Sequence, residues 1–420
     1  MNHRTEGNLS LKAVSKGVTL LIQPRIAFTL LCSLLLGYLI VRHDARLDYY
    51  AHINVIPDII SGASDVSWAM LHYVLHLLKL TFRMPYPLGM SLTMGISIFA
   101  SILITSAIFS KITDFSNAIS LLISWILNIM TPLWIPFVFS FALNDDNIYI
   151  GAWANMPWQN PTYILMKPFA LAVIYLFVQI IDTNKLNNGQ LTKLSICMGI
   201  FLLVSVLAKP SFAFVFIPAT VIYLLVKRRE SSLRIILSVG AALALSLLAM
   251  GLQYLHTFDG HYYHSVLLSL GDGWGHFMRY STLVQVIDNP IIANIIVISI
   301  AVFRAVLLPL IIHFFYSVNN SRFSSLIKYA WIFYGVSAAQ LFFFAETNRI
   351  GGGNFAWGYC FALLVLYLVY LAIFADCAAG KDNLRRSSKF WIVTTLIVLQ
   401  FAAGMLWLGT NITTIPFIVQ

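Results

Sequence analysis

The sequence predicts an all-α, polytopic membrane protein with about 11 transmembrane helices. The chain is 59% hydrophobic and only 10% charged, and its mean hydropathy is +0.82. Soluble domains do not have this composition. Apolar stretches of roughly 17–25 residues, the length that a membrane-crossing helix needs, recur along the whole chain and alternate with polar connections. We therefore expect residues 1–420 to form one membrane domain.

The distribution of basic residues predicts how the spans are oriented. The predicted spans lie near residues 26–41, 88–110, 116–142, 162–182, 192–207, 211–226, 232–254, 290–316, 326–345, 354–374 and 389–409. With the N-terminus inside, 17 of the 26 Lys and Arg residues fall in inner segments, eight fall outside and Arg304 lies within a span. The acids run the other way, 10 outside and 6 inside. The positive-inside rule then predicts a cytoplasmic N-terminus and outward-facing long loops.

The net charge of +10 would suggest a nucleic-acid partner in a soluble protein. Here most of the excess positive charge lies in the connections that are predicted to be on the inner side, where anionic lipid headgroups are the favoured partners. We therefore expect membrane lipids, and no nucleic acid, to contact these basic residues.

The first outer loop, residues 42–87, is predicted to contain two helices that lie in the membrane interface. The first is indicated by apolar residues three to four positions apart, namely Ile53, Ile56, Ile60 and Ala63. The second covers residues 68–80 and is apolar with interspersed histidines. Both are too short or too polar to span a bilayer.

Polar residues open this first loop and include two candidate bases. Asp44 and Asp48 follow the first span directly, and His52 comes one helical turn after Asp48. They form either a solvated charged turn or a carboxylate at the mouth of a membrane cavity, where it can accept a proton. The residues by themselves leave both interpretations open.

The third connection offers further polar and aromatic groups. Asp145 and Asp146 are oxygen ligands of the kind Mg²⁺ or Mn²⁺ prefers, but two adjacent acids alone do not define a metal site. We assign no metal ligand and leave open whether the protein binds a divalent ion. Trp158 fits either an interfacial aromatic belt or a ring that stacks on a sugar.

Two short connections carry cations that suit a phosphate. Pro210 breaks the helix between two apolar runs and holds Lys209 close to the membrane. Lys209 either snorkels to the interface or contacts a phosphate. Arg349 lies in the connection ETNRIGGGN at 346–354. It either forms an ion pair with Glu346 or binds a phosphate through its planar guanidinium. We expect Glu346 and Asn354 to contact substrate.

The long loop 255–289 is predicted to fold over the outer cavity. It carries four of the ten histidines and several aromatic residues. His261 and His264 are three residues apart, but no second pair at metal-ligand spacing accompanies them, so His264 is assigned to substrate rather than to zinc. Within the spans, we single out Arg304 as the one mid-helix charge, because such charges are costly and face the bundle interior.

These features together resemble the GT-C-type membrane glycosyltransferases, which act on polyprenyl-phosphate-linked donors. The similar features are the layout of one span followed by a long acidic outer loop, the stretch LDYYAHINVIPDIISG, the hairpin sequence AKPSFAFVFIPA, and a late outer loop with Arg, Gly and Asn. The resemblance implies a GT-C-like domain that transfers a hexose or pentose at the outer face of a bacterial cytoplasmic (inner) membrane. The acceptor would be an envelope glycan or lipid.

By the same resemblance, Asp48 would match the catalytic carboxylate, with Asp44 as the competing choice, and His52 would match a neighbouring polar position that contacts substrate. Lys209 and Arg349 are the candidates for holding the leaving phosphate. One base and one displacement predict inversion at the sugar carbon. The first-loop acids do not form the Asp-Glu or Glu-x-Asp pair of that family. We expect the loops alone to recognise the acceptor. The alternatives are a transporter or flippase of lipid-linked saccharide, or an enzyme that polymerises its repeat units; a transporter would place more charges around a central cavity and show two related halves.

Overall fold

The described part of the chain is helical apart from one small two-stranded sheet. The structure is a computed structural model that describes residues 23–42, 48–63, 69–113, 115–132, 158, 160–182, 186–228, 232–258, 266–268, 289–317, 323–346, 355–380 and 387–412. In chain order its elements are α1 (Pro24–Arg42), α2 (Tyr49–Asn54), α3 (Ile56–Ser61), α4 (Met70–Phe82), α5 (Tyr86–Ile112), α6 (Asn117–Ile129), α7 (Pro161–Asp182), α8 (Asn188–Ala208), α9 (Ser211–Val226), α10 (Leu233–Phe258), β1 (Val266–Leu268), α11 (Pro290–Ile312), α12 (Ser324–Phe343), β2 (Phe344–Glu346), α13 (Ala356–Gly380) and α14 (Ser388–Ile412).

Eight of the described helices are long and apolar enough to cross a membrane, which confirms a multi-pass membrane protein. They are α1, α5, α7, α8, α10, α12, α13 and α14. The other three predicted spans coincide with shorter apolar helices at Asn117–Ile129, Ser211–Val226 and Val302–Tyr316. The 16 residues of α9 extend only about 24 Å at 1.5 Å per residue. The count of 11 spans therefore stays a prediction.

Helices α7 and α13 form the centre of the bundle. In the most apolar part of each of these two helices, 78% of the residues are buried by other parts of the protein, compared with 22% in α10 and α14. The small residues Gly37 and Gly95 allow α1 and α5 to cross closely, because a Cβ on Gly37 would lie 2.8 Å from the Cα of Gly95. The outer helices bury one side and leave apolar side chains on the other, as expected for contact with lipid.

The described part of the connection 42–87 contains three helices, α2 to α4, instead of the two predicted. The first predicted helix is divided at Val55, and Pro57 occupies the first turn of α3, where its missing N–H costs nothing. This division rotates the apolar face. Of the predicted apolar face, Ile53 and Ile56 are buried, whereas Ile60 and Ala63 are exposed and Ile59 is buried instead.

The chain reverses direction at Lys209 and Pro210, as the sequence predicted. Lys209 ends α8 in an extended conformation, with φ −167° and ψ 121°. A residue before proline is disfavoured in the helical region, so the sequence itself stops α8 here. Pro210 then precedes the first turn of α9. The hairpin brings Lys209 to the end of the bundle where α7 and α13 begin.

Candidate functional site

The site is built around the beginning of α7, where Asn160 is the residue that caps the helix. Its side-chain Oδ1 accepts hydrogen bonds from the backbone N–H of Tyr163 (2.9 Å) and from the hydroxyl of Thr162 (2.6 Å). Asn before Pro161 is a strong helix-start signal, because the amide satisfies an otherwise unpaired N–H and proline fits the first turn. The Tyr163 N–H can only donate, so it fixes which amide atom faces it. The Asn160 Nδ2 therefore points the other way, towards Asp48.

Asp48 precedes α2 and meets Asn160 across 112 residues of sequence. The Asn160 Nδ2 donates to the Asp48 Oδ2 in a long contact of 3.5 Å. Part of Asp48 is exposed to solvent, although the surrounding protein removes some of the water from its carboxyl. An acceptor molecule could therefore reach the carboxylate, while one of its oxygens is held by the start of α7.

Lys209 lies on the other side of the same helix start. It is buried, and its Nζ donates to the Thr162 hydroxyl at 3.3 Å. The ammonium also sits 5.0 Å from the centre of the Trp357 ring, which in turn packs 5.7 Å from the ring of Tyr163. A cation over the face of tryptophan is stabilised by the ring quadrupole. Lys209 therefore points into the protein and does not snorkel towards water.

These contacts form one continuous chain of donors and acceptors. Lys209 donates to Thr162, Thr162 donates to Asn160, and Asn160 donates to Asp48. The Thr162 hydroxyl and the Asn160 amide can each accept one hydrogen bond and donate another, so all three hydrogen bonds can form at the same time. The predicted base and the predicted phosphate ligand thus lie in one site although 161 residues (209 − 48) separate them in the sequence.

Opposing effects set the protonation of Asp48. Desolvation by the surrounding protein is the largest and raises the pKa of this carboxyl above its ordinary value of 3.8. The hydrogen bond from Asn160 and the positive charge of Lys209 lower the pKa, but less. A carboxylate with a raised pKa is a stronger base than an ordinary aspartate.

His52 and His72 form a neutral pair beside Asp48. The His52 Nδ1 and the His72 Nε2 are 3.1 Å apart, and the ring centres are separated by 5.3 Å. Burial, followed by His72 and Lys209, lowers the pKa of His52 to about 3. Burial lowers the pKa of His72 to about 4. The pair joins α2 to α4 and so fixes the element that carries Asp48.

Trp158 is tied to the same region but is buried inside it. The Tyr49 hydroxyl, next to Asp48, donates to the Trp158 backbone carbonyl. Only 1% of Trp158 is exposed, so the ring belongs to the core and not to a surface belt. Its contact with substrate stays a prediction.

The two late connections that were predicted to face outward meet in the small sheet. Strand β1, from the loop 255–289, pairs antiparallel with β2, and Val266 lies opposite Glu346. The predicted substrate residue Glu346 is therefore the last residue of β2. The remaining predicted residues lie outside the described ones; they are Asp44, His264, Arg349 and Asn354.

Buried cations inside the bundle correct one expectation. Arg304 is buried in α11, next to Ala305, whose carbonyl accepts from the Tyr367 hydroxyl at 2.9 Å. It is not the one mid-helix charge, because Lys167 is completely buried in α7 close to Cys360. In the prediction of orientation, Lys167 was one of the eight outer basic residues, because it lies near the start of the predicted span 162–182. Helix α7 begins only six residues earlier, and its first turns are enclosed by protein.

Sequence reasoning missed Asn160, Thr162, His72 and Trp357. The Asn160-Pro161 pair was a readable helix start, but nothing in the sequence pairs it with Asp48. Trp357 carried no signal apart from being aromatic. Among the described residues no group of three or more His, Cys, Asp and Glu is arranged to hold a metal ion.

No known protein family, curated protein or solved structure matches this chain.

Proposed function

We propose that the protein is a membrane glycosyltransferase that uses a polyprenyl-phosphate-linked sugar at the outer face of the cytoplasmic membrane. The observation that carries the proposal is the meeting of Asp48 and Lys209 through Asn160 and Thr162. A base and a cation held on one helix end suit a reaction that removes a proton from one partner and releases an anion from the other. The resemblance to GT-C enzymes supports the same reaction.

In the proposed reaction the acceptor hydroxyl oxygen attacks the anomeric carbon of the sugar. The bond from that carbon to the phosphate oxygen breaks, its electron pair stays on the phosphate, and polyprenyl phosphate leaves. Asp48 takes the hydroxyl proton, and Lys209 stabilises the negative charge that develops on the leaving oxygen. A single displacement inverts the anomeric carbon. The carbon passes through a cation-like transition state, as in glycoside hydrolysis.

The location suits a donor that stays in the bilayer. An isoprenoid tail holds its headgroup at the interface, because each buried methylene contributes about 0.8 kcal/mol. The described site lies at one end of the bundle, where α7, α9 and α13 begin. Lys209 is held there by the break between two apolar helices.

The test uses purified protein in nanodiscs with a panel of labelled polyprenyl-phosphoryl sugars and glycan acceptors. Acceptor-dependent release of polyprenyl phosphate is expected. The Asp48→Asn variant should lose about 100-fold or more of kcat, the usual contribution of a general base. The matched control is Asp58→Asn, since Asp58 is an exposed acid ten residues further on in α3. Full turnover in Asp48→Asn would remove Asp48 as the base.

The cation is tested in the same assay. Lys209→Met should lower kcat by roughly 100- to 1000-fold, as expected when a group that stabilises developing charge is lost. Lys79→Met is the control, because Lys79 also lies over an aromatic ring, that of Tyr86 at 4.4 Å, but is exposed. Movement of intact lipid-linked saccharide across proteoliposomes, without cleavage of any donor, would show a transporter and refute the transferase.

A further inference from the structure

We propose that Asn160 and Thr162 form a bridge through which an anion bound at Lys209 acts on Asp48, so that the donor lipid prepares the base for the acceptor. This inference rests on the proposed function, since it concerns the order of events within that site. Asn160 and Thr162 would then be positioning residues, because they act on the reaction through Asp48 and Lys209 and do not touch the reacting atoms.

The first argument is geometric. The Thr162 hydroxyl gives its proton to Asn160 at 2.6 Å and receives one from Lys209 at 3.3 Å. The Tyr163 N–H holds the amide of Asn160 in the orientation that presents its Nδ2 to Asp48. All hydrogens in the chain point from the cation towards the carboxylate. In such chains each hydrogen bond polarises the next one.

The second argument is electrostatic. Lys209 lowers the pKa of Asp48, as does the hydrogen bond from Asn160. An anion paired with Lys209 would offset that positive charge and pull the Lys209 protons away from Thr162. Both effects weaken the stabilisation of the ionised carboxylate, so Asp48 becomes a stronger base once the anion is in place. Without the anion, Asp48 is the weaker base.

The consequence is an ordered reaction. The site would activate an acceptor hydroxyl only after the donor phosphate has reached Lys209. A base that is activated before the donor arrives could not be used, because no sugar carbon would be present for attack. Coupling between two sites is reciprocal, so ionisation of Asp48 must in turn weaken anion binding at Lys209.

The experiment measures that reciprocal effect without turnover. The probe is farnesyl methyl phosphate, a diester with a single negative charge that does not titrate in the range used. Its affinity for the protein in nanodiscs is measured from about pH 4.5 to 8, and hydrogen exchange in α2 is followed over the same range so that affinities are compared only where α2 stays folded. The two histidines beside Asp48 stay neutral over most of this range, because the pKa values of His52 and His72 are about 3 and 4. Affinity should fall by about fivefold or more as pH rises, the lower end of common coupling factors.

Variants locate the coupling. Asp48→Asn should bind the probe with no fall in affinity. Thr162→Val, which replaces the hydroxyl by a methyl of similar size, should flatten the pH dependence, whereas Thr162→Ser should retain it. Asn160→Ser is a second, independent variant: serine still caps α7 but is too short to reach Asp48. Each variant's fold is checked by its unfolding temperature.

The outcomes separate the bridge from the function. If Thr162→Val or Asn160→Ser keeps the wild-type pH dependence, Asp48 acts on the anion directly through space and the bridge is wrong. If the wild type shows no pH dependence, the coupling is wrong while the donor site stands. If Lys209→Met binds the probe as tightly as wild type, Lys209 is not the phosphate ligand, and the proposed function loses its donor site.

Discussion

The His52–His72 pair predicts that acid destabilises this end of the protein. Near neutral pH both rings are neutral in the folded state, because their pKa values are lowered to about 3 and about 4 from the ordinary value of 6.5. Because folding lowers both pKa values, their contribution to stability is complete above pH 6.5. It is lost as pH falls from 6.5 towards 4 and 3. At a separation of 3.1 Å, two charged rings would also repel each other.

The size of the effect follows from the two shifts. At pH 5.0 an unfolded histidine is about 1.5 pH units below its pKa, which corresponds to about 2 kcal/mol for each ring that folding keeps neutral. The pair therefore loses up to about 4 kcal/mol between pH 7.5 and 5.0. The α2 segment that carries Asp48 should be released first, because the pair connects it to α4.

The assay compares thermal unfolding of purified wild type and the double variant His52→Asn/His72→Asn at both pH values. The double variant should lose much less stability on acidification, and hydrogen exchange in α2 should rise at pH 5.0 in the wild type alone. His76→Asn, one turn further along α4, is the control and should behave as wild type. Equal acid sensitivity in wild type and double variant would refute the reasoning.

Three further predictions follow from packing, hydrogen bonding and topology. Gly404→Ala should lower the free energy of unfolding by about 1–3 kcal/mol, because its Cβ would overlap the Ile129 carbonyl, whereas Gly409→Ala in the same helix meets nothing within 4 Å; equal unfolding temperatures would contradict this. Tyr49→Phe should cost about 1–3 kcal/mol, because it leaves the buried Trp158 carbonyl without the hydroxyl that donates to it, and no change in urea or thermal unfolding would argue against that bond. With the native cysteines replaced, Ser61→Cys should react with an impermeant thiol reagent in intact cells and Ser232→Cys only after permeabilisation; the reverse would invert the predicted orientation.

The segments that the sequence predicted well are those whose environment is set by lipid. A long apolar run such as Tyr86–Ile112 must be a helix, because the bilayer offers its backbone no other hydrogen-bond partners. The turn at Lys209 and Pro210 is also local, since proline restricts both its own backbone and that of the residue before it. The secondary structure of these elements therefore depends little on which other parts of the protein surround them.

The errors have a common cause in contacts with other helices. The predicted helix through Ile60 is interrupted at Val55, and packing selects Ile59 instead. Lys167 was counted as an outer residue because a sequence shows its position but not what encloses it. Asp48 and Lys209 were predicted to share a site, yet the residues that join them, Asn160 and Thr162, had no recognised signal.

Composition and charge distribution alone determined that this chain crosses a membrane repeatedly, because burial of apolar helices in lipid is a local property that each segment carries by itself. The tertiary structure alone decided which polar groups meet. A hydrogen bond such as that from Asn160 to Asp48 depends on two helix ends, 112 residues apart, being brought within 3.5 Å. That proximity is fixed by the packing of the whole bundle and leaves no trace in the spacing of either residue.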